Sequence, residues 1–249
     1  MSEAEQYDAT IYERPSVTVD VVILTLINEA LHVLLLQRRH WPYAGQWAIP
    51  GGFVGIDESL EDAAQRELQE ETGIQAVYLE QLYTFGSPQR DPRTRVISVA
   101  YFALVRADRH QPSTSDEATA VRWFPIDQLP EPLAFDHRVI VQAAVNRLRS
   151  KLEYTTLAFQ LLPEEFTLAE LYETYGQLFG DRRRGDDGAA GEWAGLDKRN
   201  FYRKITDAGI LHDTGRFREG RGRPAKLYTF RPETQSGEFV FRWREARAG

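Results

Sequence analysis

Residues 52–74 read GFVGIDESLEDAAQRELQEETGI, and this run decides the fold. Ser59 before an apolar-periodic stretch is a helix N-cap, and Gly73 stands where such a helix would stop, which predicts a helix over 59–72. At about 100° per residue, with Glu67 at zero, Glu71 lies roughly 40° to one side and Glu70 roughly 60° to the other. Leu60, Ala63 and Ala64 project into that same half, while Glu61, Asp62, Gln65, Gln69 and Thr72 take the opposite one. Three carboxylates beside small apolar residues repel one another and lose hydration. A hard divalent cation relieves both, and Mg2+ favours oxygen ligands. A solvated helix stapled by charge pairs four residues apart would keep its acids away from the apolar side.

The spacing Gly52, Glu58, Arg66, Glu67, Leu68, Glu70, Glu71, Gly73, Ile74 resembles the Nudix box at every fixed position. The resemblance implies an α/β fold, the Nudix α/β/α sandwich of a mixed sheet with flanking helices. It also implies a catalytic set of Glu58, Arg66, Glu67, Glu70 and Glu71. Glu67, Glu70 and Glu71 would hold Mg2+, or Mn2+ in its place, with the Gly52 carbonyl. Glu58 would support the helix and pair with Arg66, or join the metal shell. Gly51–Gly52 would let the backbone approach metal and phosphates closely. Which acid acts as general base stays open.

Outward from the box, strands are expected at 17–27, 31–37, 74–85, 94–106 and 119–124, with a turn at Asn28–Ala30 and a helix over 136–153. A first domain of residues 1–153 follows. The segments RRHWPYAGQWAIPGGFV, SPQRDPRTRVISVAYFALV and RWFPIDQLPEPLAFDHRVI resemble the branch of the Nudix group that handles ADP-ribose. Arg39 and Arg93 would pair with its phosphates, Tyr43 would stack on adenine, and Asp91 would meet a ribose hydroxyl. Each reads equally as an ordinary loop residue. His137 reads as a structural residue at a helix start, and Trp47, Trp123 and Phe124 as core.

Residues 154–249 form a second expected unit. Thr167 and Glu170 make a capping box opening a helix with Leu168, Leu171, Tyr172, Tyr175 and Leu178 on one side. Gly180 to Gly195 reads as a mobile loop. The next helix starts from N-cap Asp197 and ends at Gly209, with Phe201, Ile205 and Ala208 behind and Arg199, Tyr202, Arg203 and Thr206 in front. An apolar back with an arginine-rich front suits a major groove. GRFREGRGRPAKLYTF, residues 215–230, predicts two short strands with a basic tip, a wing. LDKRNFYRKITDAGILHDTG followed by RGRPAKLYTF resembles the winged helix of Nudix-related transcriptional regulators. That resemblance implies a homodimeric repressor of NAD-related genes, an ADP-ribose effector and double-stranded operator DNA as partner. Lys198, Arg199, Asn200, Arg203, Arg221 and Arg223 would contact the DNA. The segment from Pro232 reads as a frayed polar tail.

Composition is consistent with this division. The net charge is −7, but residues 1–150 carry 13 arginines, no lysine and 21 acids, whereas residues 196–231 carry 10 bases and 4 acids. A basic block in an acidic chain points to an anionic partner. No apolar stretch approaches the roughly 18–20 residues of a membrane span. The start MSEAEQYDAT has no apolar run, and there is no cysteine, so a cytoplasmic protein without disulfides or thiolate metal sites is expected. Because the box is intact, Mg2+-dependent hydrolysis of ADP-ribose is expected to survive beside regulation. The rival reading is a metabolic dinucleotide pyrophosphatase whose C-terminal domain serves assembly, and a third is clearance of damaged nucleoside triphosphates.

Overall fold

The computed structural model describes residues 11–75, 78–180, 182–184, 190–193, 196–220 and 224–230. A mixed sheet forms the centre. β1 (Ser16–Ile27) and β2 (Ala30–Arg38) are joined by Asn28 and Glu29, both at positive φ, the backbone a two-residue hairpin turn requires. They pair only from Leu24 to Ile27 against Ala30 to Val33, and then part. Two strands absent from the sequence-based expectation fill the opening: β3 (Trp47–Ala48) pairs with β2, and β4 (Gly51–Phe53) pairs antiparallel with β1. β5 (Tyr78–Phe85), β6 (Val96–Leu104) and β7 (Ala118–Pro125) complete the sheet, with β6 parallel to β1, β5 on β6 and β7 on β2.

The strand period of two sorts β1 between the two faces. Val19, Val21 and Ile23 pack with Ala63, Ala64 and Leu68 of α1 (Leu60–Thr72). Val22 and Leu24 join Ile140, Val141, Ala144 and Leu148 of α2 (His137–Lys151) on the other side. This is the α/β/α sandwich. Ser59 caps α1 by accepting from the Asp62 N–H, and Gly73 closes it at φ 70°. Thr72, expected on the wet side of α1, is instead fully buried, its hydroxyl donating to the Leu68 carbonyl at 2.6 Å.

A 3-10 turn, Leu157–Leu161, leads to α3 (Leu168–Phe179), whose Thr167–Glu170 capping box is formed. The stretch expected as a mobile loop carries β8 (Arg182–Arg184) and β9 (Ala190–Trp193), an antiparallel hairpin. The buried Trp193 ring lies flat on α3, where Gly176 has no side chain to obstruct it, and its Nε1 donates to Glu173 at 3.1 Å. α4 (Lys198–Asp207) follows, and then the wing, β10 (Leu211–Arg218) and β11 (Ala225–Phe230). An isolated antiparallel bridge joins Phe166 to β11, where it exchanges backbone hydrogen bonds with Tyr228 at 3.0 and 2.8 Å. This is a winged helix.

The interior does not stop at residue 153. One cluster of buried residues runs from β1, β2 and α2 through Leu157 and Phe159 to Leu171, Tyr175, Leu178, Phe201 and Ile205. Arg149 of α2 donates to the Leu178 carbonyl at 3.2 Å, tying α2 to α3. Among the described residues no helix is long and apolar enough to cross a membrane.

Candidate nucleotide site and DNA-facing helix

The cleft opens where β1 and β2 part. β4 brings Gly51 and Gly52 over α1, and both glycines are needed for the approach. A methyl group on Gly52 would stand 2.6 Å from the Glu67 carboxyl carbon, and one on Gly51 would stand 2.8 Å from Asp20 Oδ1. Beneath them the Gly51 N–H donates to Glu71 Oε2 at 2.8 Å.

Arg66 organises the acids. Its Nε and Nη2 grip Glu58 at 3.0 and 2.7 Å, and Nη1 reaches Glu67 at 2.7 Å and Glu70 at 3.2 Å. Nη2 also holds the Phe53 carbonyl at 3.1 Å. The hydrogen bonds from Arg66, then that from the Gly55 N–H, hold the pKa of Glu58 down to about 2. Burial raises that of Glu67 despite Arg66. Burial also pushes Glu71 up to about 8, with Glu67 and Glu117 adding repulsion. Glu70 is exposed and lies at the edge of the group.

The box residues Gly52, Glu58, Arg66, Glu67, Glu70 and Glu71 are thus brought together. Yet among the described residues no three side chains stand as a ready cation cage, because Arg66 occupies the place of the cation for Glu67 and Glu70. The donor set nonetheless fits a hard divalent ion. It is made wholly of carboxylate and carbonyl oxygens, and two of its carboxylates are raised by burial and lack enough positive charge of their own.

The expected ligand residues are placed unevenly. Arg39 is exposed and turned away onto the start of β7 and the loop before it, its Nε on the Asp116 carbonyl at 2.8 Å and Nη2 on that of Ala118 at 3.1 Å. Its half-buried neighbour Arg38 is the arginine that faces the acids, since successive side chains of an extended chain point to opposite sides. Asp91 is buried and grips Arg93, accepting from its backbone N–H at 2.9 Å and from Nη2 at 2.8 Å. Its carboxylate is therefore engaged with Arg93 rather than turned to a ribose. Arg93 in turn lies over the rings of Phe53 and Phe135, at 5.1 and 5.7 Å. Tyr43 meets Phe135 edge-on at 4.8 Å.

Sequence reasoning missed Phe135, Arg38 and Glu117. Glu117, exposed on the loop before β7, acts on Glu67, Glu71, Arg38 and Arg93 together, and no local motif announces it. His137 is structural as expected: it is buried, and its Nδ1 accepts from the Ile49 N–H at 3.0 Å. Burial keeps it neutral by lowering its pKa. Beside it, buried Arg90 joins Asp136 at 2.7 Å and Asp20 at 3.0 Å, fixing the start of α2 to β1.

At the other end of the chain, α4 buries Phe201 and Ile205 and exposes Arg199, Arg203 and Thr206. Asp197 Oδ1 caps it by accepting from the Asn200 N–H at 2.6 Å. Asn200 Oδ1 holds Arg203 at 2.8 Å, and the Lys198 ammonium lies 5.4 Å from the Tyr172 ring and 5.9 Å from that of Tyr202. Among the wing bases, Arg216 is ion-paired to Glu165, Arg218 to Glu170, and Lys226 to Asp213. Arg221 and Arg223, like the tail from Pro232, lie outside the described residues.

Comparison with known proteins agrees with both halves. The NUDIX domain family matches residues 17–144, and the NrtR DNA-binding winged helix domain matches residues 158–230. The ADPR responsive transcriptional repressor NtrR of Acinetobacter baylyi is 36% identical over 228 residues, 90% of this chain and 86% of its own length. The crystal structure of Shewanella oneidensis NrtR complexed with a 27mer DNA superposes with a TM-score of 0.74 at 37% identity, covering 90% of this chain and 97% of that one. The NUDIX domain of that protein, solved with ADP ribose, is 39% identical with a TM-score of 0.55, covering 59% of this chain and 99% of that one. The chain belongs to the Nudix family, in the NrtR group that joins a NUDIX domain to a DNA-binding winged helix.

Proposed function

We propose that this protein is an ADP-ribose-responsive transcriptional repressor of NAD-related metabolism that retains divalent-metal-dependent ADP-ribose pyrophosphatase activity. The observation that carries the reading is the union, in one chain, of an intact carboxylate helix under Gly51–Gly52 and a helix, α4, that is apolar behind and basic in front. The relatives' names supply the ligand and the regulatory role. In this reading residues 1–153 take the nucleotide and residues 154–249 take operator DNA. Two copies would present two recognition helices to a two-fold-related site.

The chemistry falls to this chain's own residues as follows. Glu67, Glu70, Glu71 and the Gly52 carbonyl would hold Mg2+ or Mn2+, with Glu67 and Glu70 exchanging Arg66 for the ion. When bound, such an ion neutralises a diphosphate and acidifies an attacking water. Glu58 would keep Arg66 on the helix while Glu67 and Glu70 held the ion. Hydrolysis adds water across the diphosphate, giving AMP and ribose 5-phosphate. Ligand alters DNA affinity only by favouring one arrangement of the two units over another.

A reading as a metabolic pyrophosphatase is favoured by one observation, the completeness of the Glu58–Arg66–Glu67–Glu70 array. A gel shift on the DNA upstream of the protein's own gene, titrated with ADP-ribose and with NAD in the presence and absence of Mg2+, decides between them. Binding that ADP-ribose alters supports the regulator. Turnover with no DNA binding at low salt overturns it.

A further inference from the structure

Phe217 stands in the wing between Arg216 and Arg218, and 55% of it is exposed. It belongs to neither apolar cluster of the described residues. The strand period of two sorts these three side chains. Arg216 and Arg218 share one face of β10, where Glu165 and Glu170 take them. Arg218 also donates to the Glu165 carbonyl at 3.2 Å. Phe217 takes the other face and shares it with Lys226, its partner across the ribbon. Lys226 in turn holds Asp213 at 2.6 Å. The wing arginines are thus turned to the segment that opens α3, and the opposite face of the ribbon presents a ring beside an ammonium group.

A lone exposed apolar residue is ordinary on a protein surface. Two features set this one apart. The first is a built backbone irregularity. β10 advances from Asp213 to Phe217 while β11 advances only from Tyr228 to Lys226, which is a bulge. Gly215 takes φ 69° within it, and its N–H donates to Asp213 Oδ1 at 2.9 Å. Thr214 Oγ1 donates to the Leu227 carbonyl at 2.9 Å and accepts from the Arg216 N–H at 3.2 Å. A bulge re-aims the side chains beyond it, and this one is pinned to both strands.

The second feature is charge. Residues 196–231 carry 10 bases and 4 acids, and α4 exposes Arg199 and Arg203 in the same winged helix. Such a surface draws a polyanion. Folding gains little from a ring left in water, so its use lies in what covers it. The occupant must be anionic overall and apolar locally. Duplex DNA is both: its phosphates lie outside, and its minor groove accepts apolar wedges between deoxyribose walls.

We infer that Phe217 is an apolar DNA contact of the wing, its ring entering the minor groove beside the site met by α4 while Arg216 and Arg218 stay with Glu165 and Glu170. The inference rests on the proposal that this protein binds operator DNA. It deepens that proposal by giving the wing a contact that neutralises no phosphate.

The test is fluorescence anisotropy of the full-length protein on the duplex from upstream of its own gene, across a salt series, joined to hydroxyl-radical footprinting of the same duplex. Phe217→Ala should weaken binding about tenfold, the order expected for a ring withdrawn from an apolar contact. The log–log salt slope should keep its wild-type value, since no counterion release is lost. Phe217→Leu should recover part of the affinity. Phe217→Lys adds a positive charge and should still bind more weakly than wild type at physiological salt, whereas a wing acting by charge alone would bind more tightly. The Phe217→Ala footprint should lose protection at one patch of sugars and keep the rest. Its melting temperature should stay at the wild-type value, because a ring that merely propped up the ribbon would lower it. Should Phe217→Ala fold poorly, Phe217→Leu and Phe217→Lys carry the same comparison. Wild-type affinity in Phe217→Ala, a reduced salt slope, a footprint of full extent or a tighter Phe217→Lys overturns the assignment. A wild-type protein that binds no DNA even at low salt removes the regulator reading itself, and this inference with it.

Discussion

The carboxylate of Glu67 lies directly against the α-carbon of Gly52, so close that the smallest side chain at 52 would displace it. The obstructing group is the far end of a flexible side chain and can swing away. Gly52→Ala should therefore fold, with a stability loss under about 1 kcal/mol. Turnover of ADP-ribose should fall about 100-fold, the order expected when a catalytic group moves by an ångström. Circular dichroism and a phosphate-release assay check the two halves. Undiminished turnover would remove Glu67 from the metal assignment.

Metal binding should be linked to pH through Glu71. Burial raises this carboxyl to about 8, whereas in an unfolded chain it titrates near the ordinary 4.5. Between those values the folded, metal-free protein holds a proton that the unfolded chain has released. Its contribution to stability therefore falls as pH rises through that window. A divalent ion needs the ionised carboxylate and must expel the proton. The rise in melting temperature produced by millimolar Mg2+ should then be larger at about pH 8.5 than at about pH 6. The reverse order would show that the ion does not depend on Glu71.

The two groups of arginines in the winged helix should behave differently. Arg199 and Arg203 are exposed on α4, whereas Arg216 and Arg218 are held by Glu165 and Glu170. Alanine at 199 and 203 should weaken DNA binding and lower its log–log salt slope by about 1 for each phosphate no longer neutralised, leaving hydrolysis unchanged. Alanine at 216 and 218 should alter the salt slope less and thermal stability more. Fluorescence anisotropy across a salt series separates the outcomes, and an unchanged slope in the 199/203 variant would count against α4 as the recognition helix.

Gly176→Ala should loosen the packing between α3 and the β8–β9 hairpin. Its methyl group would overlap the indole of Trp193, and that ring is buried. Overpacking of this kind costs about 1–3 kcal/mol. Because the hairpin runs into the N-cap of α4, DNA affinity should suffer more than ADP-ribose affinity. Intrinsic fluorescence would report the Trp193 shift. Equal losses in both affinities would mean that the strain spreads through the whole molecule.

The sequence revealed what depends on local periodicity and motif spacing. The caps at Ser59, Gly73, Thr167 and Asp197 are formed as their residue types require, and the box acids stand on the expected side of α1, apart from the exposure of Glu70. What escaped it depends on distant backbone. β4 is only three residues long and exists because β1 needs a partner after leaving β2, a requirement invisible in GGF itself. Adjacent arginines at 38 and 39 are chemically identical in the sequence, and only the strand register sends one to the cleft and the other to the 116–118 loop. Thr72 is buried because the chain after Gly73 folds back over it, and helical angle alone could not say so. The 182–193 hairpin was hidden by its glycines and charges, its anchor being one tryptophan facing one glycine across α3.

The apolar interior that passes without a break from α2 into α3 and α4 makes the chain one melting unit. A nucleotide settling in the cleft raises the cost of unravelling any part of that unit, the DNA helix included. Heating should therefore give a single transition that ADP-ribose moves as a whole. Occupancy at one end can reach the other through this shared interior, since any change of arrangement between the two units has to repack it.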